Sequence, residues 1–319
     1  MIYFVFDNYF ERSKKSVFEN NNFFSCKTIY PKKYIKKPIA ILKYCFKIAF
    51  STKKNDTLIF WYDFIGILTT LICMITFKKR KIIILNILLK NKNDFLHKML
   101  KRMYKLVLSL NNVTFTVTSK EYGVFLIKYL NIKKEYILLH DIYEYENFKI
   151  EKKNDENYVF CGGRNGRDWE LIFKIANNTP KISYHFVMPK ALYELYKDKQ
   201  NSNIKILVDI NKDEFSNEIF NCSFVAMPLL HDAPSGLLVF FQATSFNKLI
   251  VSSDTMTNRE YFSKDRGILL ENNVDIWIRA IENISNKLDE YDDYVKNCKQ
   301  FLSNYCGYDS YFKILKNLL

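Results

Sequence analysis

A glycine-rich loop with two arginines carries the residue types best suited to binding an anion. It follows an apolar run at 158–161 and leads into an apolar-periodic segment, and its main residues are Gly162, Gly163, Arg164, Arg167 and Asp168. A helix that begins just after such a loop directs free backbone amides and the positive end of its dipole towards the loop. The loop therefore predicts a diphosphate site, although its spacing matches neither GxGxxG nor the P-loop. A surface turn with solvated arginines is the alternative.

A second polar loop lies between two apolar strands further along the chain. The predicted strand 223–227 is followed by a loop with two prolines, a helix that opens at Ser235 and Gly236, and a strand at 248–251 that leads into Ser253 and Asp254. A strand, a helix and a strand within about 30 residues are typical of a βαβ unit in a parallel sheet. Such sheets bind ligands beyond the carboxyl ends of their strands, so this loop is predicted to lie at a ligand site.

This stretch resembles the donor-site block of a known family. From Ser235 and Gly236 through Gln242 to the strand at 248–251, the sequence is similar to GT-B glycosyltransferases of the family 4 type, which include enzymes of bacterial surface polysaccharide biosynthesis. Members of that family often carry Glu at both ends of the block. Here Gln242 stands at the second position, and residues 231–234 cover the first.

The resemblance implies a fold, a substrate and a donor site. The implied fold is α/β, with two Rossmann-like doubly wound domains and an interdomain cleft. The implied donor is a nucleotide-diphosphate sugar, a substrate and not a cofactor, and Arg164 and Arg167 match the positions that hold its pyrophosphate. The residues expected at the donor are Gly162, Gly163, Arg164, Arg167, Asp168, Ser235, Gly236, Gln242, Ser253 and Asp254.

The reaction needs a proton acceptor and a means of stabilising the leaving diphosphate. Basic side chains and helix N-termini can stabilise it without a metal, and no DxD-like pair lies in a plausible loop, so a metal-independent enzyme without a cofactor is expected. Gln242 cannot act as a base at any pH. The candidate acids and bases are Asp232 from the donor loop and Asp7, Asp63 and Asp141 from the acceptor side. Retention and inversion both stay open.

Length and composition fit two globular domains. The chain has 319 residues, 48% of them hydrophobic, which is enough for two cores. Strands and helices alternate before residue 150 and again from Tyr158, and only 136–156 breaks the pattern. The predicted domains are therefore 1–150, binding the acceptor, and 151–319, binding the donor and ending in helices. Seven Cys without a CxxC pair and without a signal peptide predict reduced thiols in a cytoplasmic protein.

Charge is divided unevenly between these domains. Residues 1–150 hold 27 Lys+Arg against 11 Asp+Glu, whereas residues 151–319 hold 21 against 23. A strongly basic domain is drawn to an anionic membrane surface, where each basic residue contributes on the order of 1 kcal/mol. With the lysine-rich segment 30–54, this predicts a peripheral protein on the inner face of the cell membrane. The acceptor is then a lipid-linked or oligosaccharide glycan, as in capsule or lipopolysaccharide synthesis. A surface helix with merely solvated lysines is the alternative for 30–54.

An apolar stretch at 57–77 admits two interpretations. It contains one charge and has lysines on both sides, so by length it could span a bilayer. Asp63 within it costs about 3 kcal/mol on membrane-insertion scales. The favoured interpretation is a buried strand followed by a helix that Asp63 heads and caps, with the next strand at 81–89.

Two other function classes remain. Basic and aromatic residues together also suit nucleic-acid binding. No RRM, KH, zinc or helix-turn-helix pattern accompanies them, so nucleic acid is not an expected partner. The missing glutamates favour the other alternative, a catalytically inactive glycosyltransferase-like partner subunit. Binding or hydrolysis of a panel of nucleotide-sugars would separate the three classes.

Overall fold

Two compact units make up the chain. The computed structural model describes residues 1–7, 12–31, 37–90, 94–143, 150–151, 157–230, 234–263 and 265–319. Unit 1 comprises Met1–Asp141 and Tyr308–Leu319, and unit 2 comprises Ile142–Gly307. Each unit is built around its own parallel sheet. The assignment of acceptor binding to 1–150 and of donor binding to 151–319 stays a prediction.

Strands and helices alternate along the described part of both units. The strands are β1 (Ile2–Val5), β2 (Lys27–Ile29), β3 (Thr57–Phe60), β4 (Lys81–Ile84), β5 (Val113–Val117), β6 (Ile137–Leu138), β7 (Tyr158–Gly162), β8 (Ser183–Met188), β9 (Ile204–Val208), β10 (Phe224–Met227), β11 (Ile250–Ser253) and β12 (Ile268–Leu270). The α-helices are α1 (Arg12–Glu19), α2 (Pro38–Ser51), α3 (Asp63–Ile75), α4 (Phe95–Leu108), α5 (Lys120–Leu130), α6 (Trp169–Asn178), α7 (Lys190–Tyr196), α8 (Lys212–Asn221), α9 (Leu237–Ser245), α10 (Met256–Phe262), α11 (Val274–Asn286), α12 (Asp292–Tyr305) and α13 (Tyr308–Leu318).

The sheet of unit 1 has the strand order β2-β1-β3-β4-β5-β6, and its strands pair in parallel. Its central strands are runs of branched and aromatic residues such as Leu58, Ile59 and Phe60, all fully buried. A parallel sheet covered on both faces requires such runs. The chain direction across the sheet reverses between β1 and β3, and ligands bind parallel sheets at such a reversal. The carboxyl ends of these two strands therefore mark the candidate ligand edge of unit 1.

The sheet of unit 2 has the strand order β12-β11-β10-β7-β8-β9 and is also parallel. Counted within the unit, this is the order 3-2-1-4-5-6 of the Rossmann fold. The reversal lies between β7 and β10, where Val159 pairs with Phe224. The loops that follow these two strands are the glycine-rich loop and the second polar loop of the sequence, so both start from neighbouring strands.

Helices α4 and α5 each begin after a residue whose side chain caps the first turn. Asp94 accepts a hydrogen bond from His97 N at 2.9 Å, and Ser119 accepts one from Tyr122 N at 3.3 Å. Each side chain satisfies an amide that the first turn of a helix leaves without an intrahelical partner. The starts of these two helices thus have a local cause.

Two strand predictions need correction. β4 ends at Ile84 and does not continue to residue 89, because Asn86 adopts a left-handed φ of 44°. The pattern predicts no strand in 136–156, yet β6 lies there and pairs with β5. Two residues are too few to produce a periodic signal.

The apolar stretch 57–77 forms β3 and α3, so the strand-plus-helix prediction is confirmed. Asp63 is the first residue of α3, while Tyr62 occupies the N-cap position. None of the described helices is both long and apolar enough to cross a membrane. All seven cysteines are buried and unpaired, which agrees with the predicted reduced thiols.

Candidate functional site

Two loops meet at the carboxyl edge of the unit 2 sheet. One follows β7 and the other follows β10. Asp168 N donates to Pro228 O at 2.9 Å, and Leu230 N donates to Gly166 O at 2.9 Å. The loops predicted from two separate motifs are therefore one hydrogen-bonded structure.

Glycine is required at two positions of the first loop. Gly163 has a φ of 124°, and a Cβ there would lie 2.3 Å from Nη2 of Arg167. Gly166 has a φ of 74°, and its Cβ would lie 2.9 Å from Oγ of Ser235. Only glycine combines these backbone angles with such close approach. The loop thus packs tightly over a guanidinium group and against the residue that precedes α9.

The two arginines of this loop occupy different environments. Arg167 is 7% exposed, donates from Nε to Gly162 O at 3.0 Å and from Nη1 to Asn165 O, and forms a β-bridge with Leu229. Burial lowers the pKa of Arg167, but a guanidinium is so strong a base that it stays charged. Arg164 is exposed at the rim. One arginine is a fixed charge within the loop, and the other is free to reach a ligand.

The amino end of α9 faces the same region. Gly236 caps the helix with a φ of 85°, and a Cβ there would lie 2.9 Å from Cε of Met227. Oγ of Ser235 is buried and has no hydrogen-bond partner among the described residues. The first amides of a helix, with a hydroxyl beside them, are suited to the oxygen atoms of an anion.

A cavity of about 300 Å³ adjoins the glycine-rich loop. It lies beyond the carboxyl ends of β7, β8 and β9, and its lining residues are Gly163, Arg164, Val187, Met188, Pro189, Asp209, Ile210, Asn211, Lys212 and Phe215. Asp209 turns the chain with a left-handed φ of 48°. Asn211 then caps α8 by accepting a hydrogen bond from Glu214 N at 2.9 Å. Most of the lining residues lie at or just beyond the ends of β8 and β9, so the rule that ligands bind beyond the carboxyl ends of parallel strands also applies to them.

At the carboxyl edge of unit 1, two of the candidate aspartates are partly or fully buried. Asp63 is 5% exposed and accepts hydrogen bonds from Phe64 N at 2.7 Å and from Leu88 N at 2.8 Å. Burial raises the pKa of Asp63, and the amide of Leu88 opposes that rise. Asp7 follows β1, and burial raises its pKa as well. Asp232, the donor-loop candidate, lies outside the described residues.

A hydrogen-bonded cluster joins the ends of β4, β5 and β6. Asn86 donates from Nδ2 to Oδ1 of Asp141 at 2.7 Å, and its Oδ1 accepts from Oγ1 of Thr116 at 2.9 Å. Burial raises the pKa of Asp141 to about 6, while the Asn86 hydrogen bond and the charge of His140 oppose the rise. A carboxyl group with such a pKa exchanges protons near neutral pH. No signal in the sequence indicated Asn86, because the residue lies within the predicted strand 81–89.

Exposed aromatic rings follow β3 at the same edge. Trp61 is 37% exposed and Tyr62 is 42% exposed. The indole of Trp61 lies 5.7 Å from the ring of Phe6 and 5.8 Å from that of Phe18, so one side of it is held by the core. Rings that are both braced and exposed can stack on an apolar ligand surface. Neither residue was predicted from the sequence as a ligand contact, because both lie within the apolar stretch 57–77.

Comparison with known proteins identifies the fold. No family model matches the sequence, and no curated protein matches it. Sucrose-phosphate synthase from Thermosynechococcus elongatus is 10% identical, covers 100% of this chain and 98% of its own, and has a TM-score of 0.73. HepE from Anabaena, solved with UDP, is 11% identical, covers 99% and 98%, and has a TM-score of 0.69. A glycosyltransferase from Rickettsia africae is 11% identical, covers 99% and 88%, and has a TM-score of 0.63.

The fold is GT-B. The predicted fold class, two Rossmann-like domains with parallel sheets and flanking helices, is confirmed.

Within this GT-B fold, two predicted donor residues hold the loops. Asp168 caps α6 by accepting from Leu171 N at 3.0 Å. Ser253, at the end of β11, accepts from Leu229 N at 2.7 Å and donates to Oδ1 of Asn272 at 2.5 Å. Their contacts with the donor stay predictions. The contacts that the structure shows for them are the hydrogen bonds that hold the loops.

Two further predicted residues are engaged by protein side chains. Gln242 lies on α9 and donates from Nε2 to Oγ of Ser216 at 2.6 Å. Asp254 forms an ion pair with Arg259 at 2.9 Å. Their donor contacts also stay predictions. Within the described ranges, no cluster of three His, Cys, Asp or Glu side chains could hold a metal ion.

Proposed function

We propose that this chain is a glycosyltransferase of the family 4 type, which transfers a hexose from a nucleotide-diphosphate sugar without a metal or a cofactor. The observation that carries the proposal is the joined pair of loops at the reversal point of the unit 2 sheet, with Arg164, Arg167 and the amino end of α9 around it. HepE, which has the same fold, is solved with UDP and with UDP-glucose. A nucleotide-sugar at this edge is the ligand that both observations support.

The two parts of the donor, its diphosphate and its nucleoside, bind at two adjoining places. The diphosphate lies against the glycine-rich loop, within reach of exposed Arg164 and of Ser235 Oγ. The nucleoside enters the cavity of about 300 Å³ beside it, which Arg164 also lines. The apolar side chains of Met188 and Phe215 suit the faces of a base, and the polar groups at Asp209 and Asn211 suit its edge or the ribose.

Bond breaking at the sugar leaves charge on the diphosphate. The glycosidic bond between the anomeric carbon and the β-phosphate oxygen breaks, and the electron pair stays with that oxygen. Arg164, the buried charge of Arg167 and the first amides of α9 stabilise it. Since Arg167 is already held by the carbonyls of Gly162 and Asn165, it needs no reorganisation during the reaction.

The proton of the acceptor hydroxyl passes to a carboxylate. Asp232, Asp7, Asp63 and Asp141 are the predicted candidates. Asp141 has a structural argument of its own, because a pKa raised to about 6 makes its carboxylate a stronger base than an ordinary aspartate while still ionised at neutral pH. The hydrogen bonds that Asp63 accepts from two backbone amides favour a structural role for it.

The acceptor is a lipid-linked glycan at the inner face of the cell membrane, as in surface polysaccharide synthesis. The excess of Lys and Arg in residues 1–150 supports this assignment. Three lysines of the segment 30–54, Lys32, Lys33 and Lys36, lie outside the described residues. Nucleic acid is not proposed as a partner.

A transfer assay tests the proposal. Purified protein is incubated with UDP-, GDP- or CMP-sugars and a lipid-diphosphate-linked saccharide, and labelled lipid product and released nucleotide are measured with and without EDTA. One donor should give labelled lipid, EDTA should leave the rate unchanged, and Arg164→Ala should lower the rate. Failure of every donor to give product or nucleotide release would reject the enzyme.

The alternative is a catalytically inactive glycosyltransferase-like subunit. The observation that favours it is Gln242, which replaces an expected Glu and is engaged by Ser216. Such a subunit would bind a nucleotide-sugar tightly but release no nucleotide in the same assay, with or without the acceptor. Binding and turnover measured on one preparation therefore decide between the two functions.

A further inference from the structure

Three neighbouring helices of unit 1 have unusual outer surfaces. α3 packs between α2 and α4. Each of the three exposes large apolar side chains, which are Ile39, Leu42, Phe46 and Phe50 on α2, Met74 and Ile75 on α3 with Phe77 just after it, and Phe95, Leu96, Met99 and Leu106 on α4. We call the outer surface formed by these side chains and the basic residues between them the apolar-basic face. An apolar surface that extends over three helices is larger than the scattered exposed residues of an ordinary monomer.

The outer side of α3 is apolar along its whole length. Phe64, Leu68 and Leu71 are half-buried and share one helical stripe with Ile75, which is 78% exposed. The opposite side of the helix packs on the sheet, where Ile65 and neighbouring residues are buried. This double apolar character explains why residues 57–77 resemble a membrane span in composition, although α3 is a short helix that lies on a sheet.

Basic residues separate the apolar ones, and acidic residues are almost absent. Exposed Lys43 and Lys47 lie between the exposed apolar residues of α2. Exposed Lys98, Arg102 and Lys105 lie between those of α4. In α2, α3 and α4, all of whose residues the structure describes, the single acidic residue is Asp63, and it is buried. The outer surface of these helices therefore carries only positive charge.

Phe77 adds an exposed ring at the end of α3. It is 91% exposed and has a φ of 52°, a left-handed conformation that is uncommon for a bulky residue. Such a conformation costs of order 1–3 kcal/mol when the residue is not glycine. A ring so exposed contributes little to the packing of the fold. Its conformation and exposure both fit a residue that contacts something outside the chain.

We infer that the apolar-basic face docks on an anionic lipid bilayer, with its apolar side chains at the boundary between headgroups and acyl chains. Lysine and arginine side chains can place their stems along apolar surface and their charges at lipid phosphates. Nucleic acid would use the charges but would gain little from exposed Ile, Leu and Met. The inference rests on the proposed function for its biological sense, since it brings the enzyme to a lipid-linked acceptor. The docking itself needs no donor and no turnover.

Co-sedimentation with vesicles tests the apolar part. Wild-type protein is mixed with vesicles of phosphatidylglycerol and phosphatidylcholine in equal parts, or of phosphatidylcholine alone. The variant Phe46→Ser/Phe50→Ser is compared with the control Leu195→Ser/Tyr305→Ser, which changes two exposed side chains of unit 2. Wild type and the control should partition onto the anionic vesicles equally. The α2 variant should bind about tenfold more weakly, because it loses the apolar area that enters the interface.

The charge contribution is tested in the same assay. Lys43→Gln/Lys47→Gln should lower partition about 30-fold at low salt, from about 1 kcal/mol for each lysine near an anionic surface. The matched control, Lys205→Gln/Lys287→Gln on unit 2, should change little. Raising the salt should shrink the lysine effect and leave the phenylalanine effect, since salt screens only the electrostatic part.

Three results would overturn the inference. The first is equal partition onto anionic and neutral vesicles, and the second is equal partition of the phenylalanine variant and its control. The third is lysine-dependent binding of an oligonucleotide without any binding of vesicles. Thermal unfolding and nucleotide binding of each variant are measured in parallel and should match wild type. Loss of vesicle binding with intact nucleotide binding then separates a failure of docking from a failure of the proposed function.

Discussion

The carboxyl edges of the two sheets differ in chemistry although the sheets share one architecture. The edge of unit 2 is formed by loops with left-handed glycines, a buried arginine and the amino end of a helix. The edge of unit 1 holds carboxyl groups with raised pKa values at Asp7, Asp63 and Asp141, together with exposed aromatic rings. The edge of unit 2 is suited to binding an anion. The edge of unit 1 is suited to accepting a proton and to contacting an apolar ring of a ligand. A transferase that joins a diphosphate donor to a hydroxyl acceptor needs both.

The outer surfaces of the two units differ in how far their charges are neutralised. On unit 2, exposed lysines pair with nearby acids, as in Lys197 with Glu194 and Lys296 with Asp293. On α2, α3 and α4 of unit 1 no exposed carboxylate is present within these fully described helices, so their lysines have no such partner along the helix. Surface ion pairs add little stability, but they neutralise a surface. The outer surface of α2, α3 and α4 is instead left with net positive charge.

The largest expected effect tests the shape of the unit 2 edge. Gly163→Ala would place a Cβ 2.3 Å from the Arg167 guanidinium, at a backbone angle that alanine rarely adopts. We expect the free energy of unfolding to fall by about 3 kcal/mol, from strain and overpacking together, and nucleotide binding to be lost. Gly307→Ala is the control, because its Cβ would meet only Ser303 O at 3.4 Å. Equal denaturation midpoints for the two variants would contradict the tight loop.

The next effect concerns the exposed arginine of that edge. Arg164→Ala should weaken nucleotide binding by about 1.5 to 3 kcal/mol, the range for hydrogen bonds to charged groups, and should leave thermal stability unchanged. Arg279→Ala, an exposed arginine on α11, should change neither. Arg167→Ala should weaken binding to a similar degree but also destabilise the fold, because Arg167 holds two loop carbonyls. Calorimetric titration of all three variants distinguishes the two arginine environments, and unchanged affinity in both loop variants would exclude the site.

A third effect tests the unit 1 edge through pH. The pKa of Asp141 is raised to about 6 in the folded chain, so the ionised form costs stability above that pH, and the cost disappears as the pH falls towards 4. Asp141→Asn keeps the acceptor for Asn86 and removes the charge. We expect a gain of about 2 kcal/mol in unfolding free energy at pH 8 and almost none at pH 4. A gain that does not change with pH would contradict the raised pKa.

The smallest expected effect concerns Phe77, which belongs to the outer surface of unit 1. Phe77→Asn places a residue that tolerates left-handed backbone where Phe77 has a φ of 52°. We expect unfolding free energy to rise by about 0.5 to 1 kcal/mol, while partition onto anionic vesicles falls. If Phe77 only supported the fold, its substitution would change the unfolding free energy and the partition onto vesicles in the same direction. A fall in stability would show that the phenylalanine ring supports the fold.

The sequence predicts the positions of the two joined loops of unit 2 well because these loops depend on local signals. Glycines, arginines and the residues after apolar runs are visible without tertiary structure, and both loops lie where they were expected. The different environments of Arg164 and Arg167 were not predictable, because they depend on which carbonyl groups fold within reach. The hydrogen bond between Asn86 and Asp141 joins two residues that are 55 apart in sequence, a distance that no local pattern spans. The apolar-basic face needs the packing of α3 between its neighbours, which the pattern of a single helix does not contain.

Calorimetric titration with UDP, GDP and CDP, each beside its monophosphate, tests the central claim most directly. In the proposed function the loops of the unit 2 edge hold two linked phosphates, so one diphosphate should bind at one site per chain. It should bind at least about tenfold more tightly than its monophosphate, since one charge-assisted hydrogen bond contributes about 1.5 to 3 kcal/mol. Failure of all three diphosphates to bind, or equal binding of each diphosphate and its monophosphate, would contradict the nucleotide-sugar site.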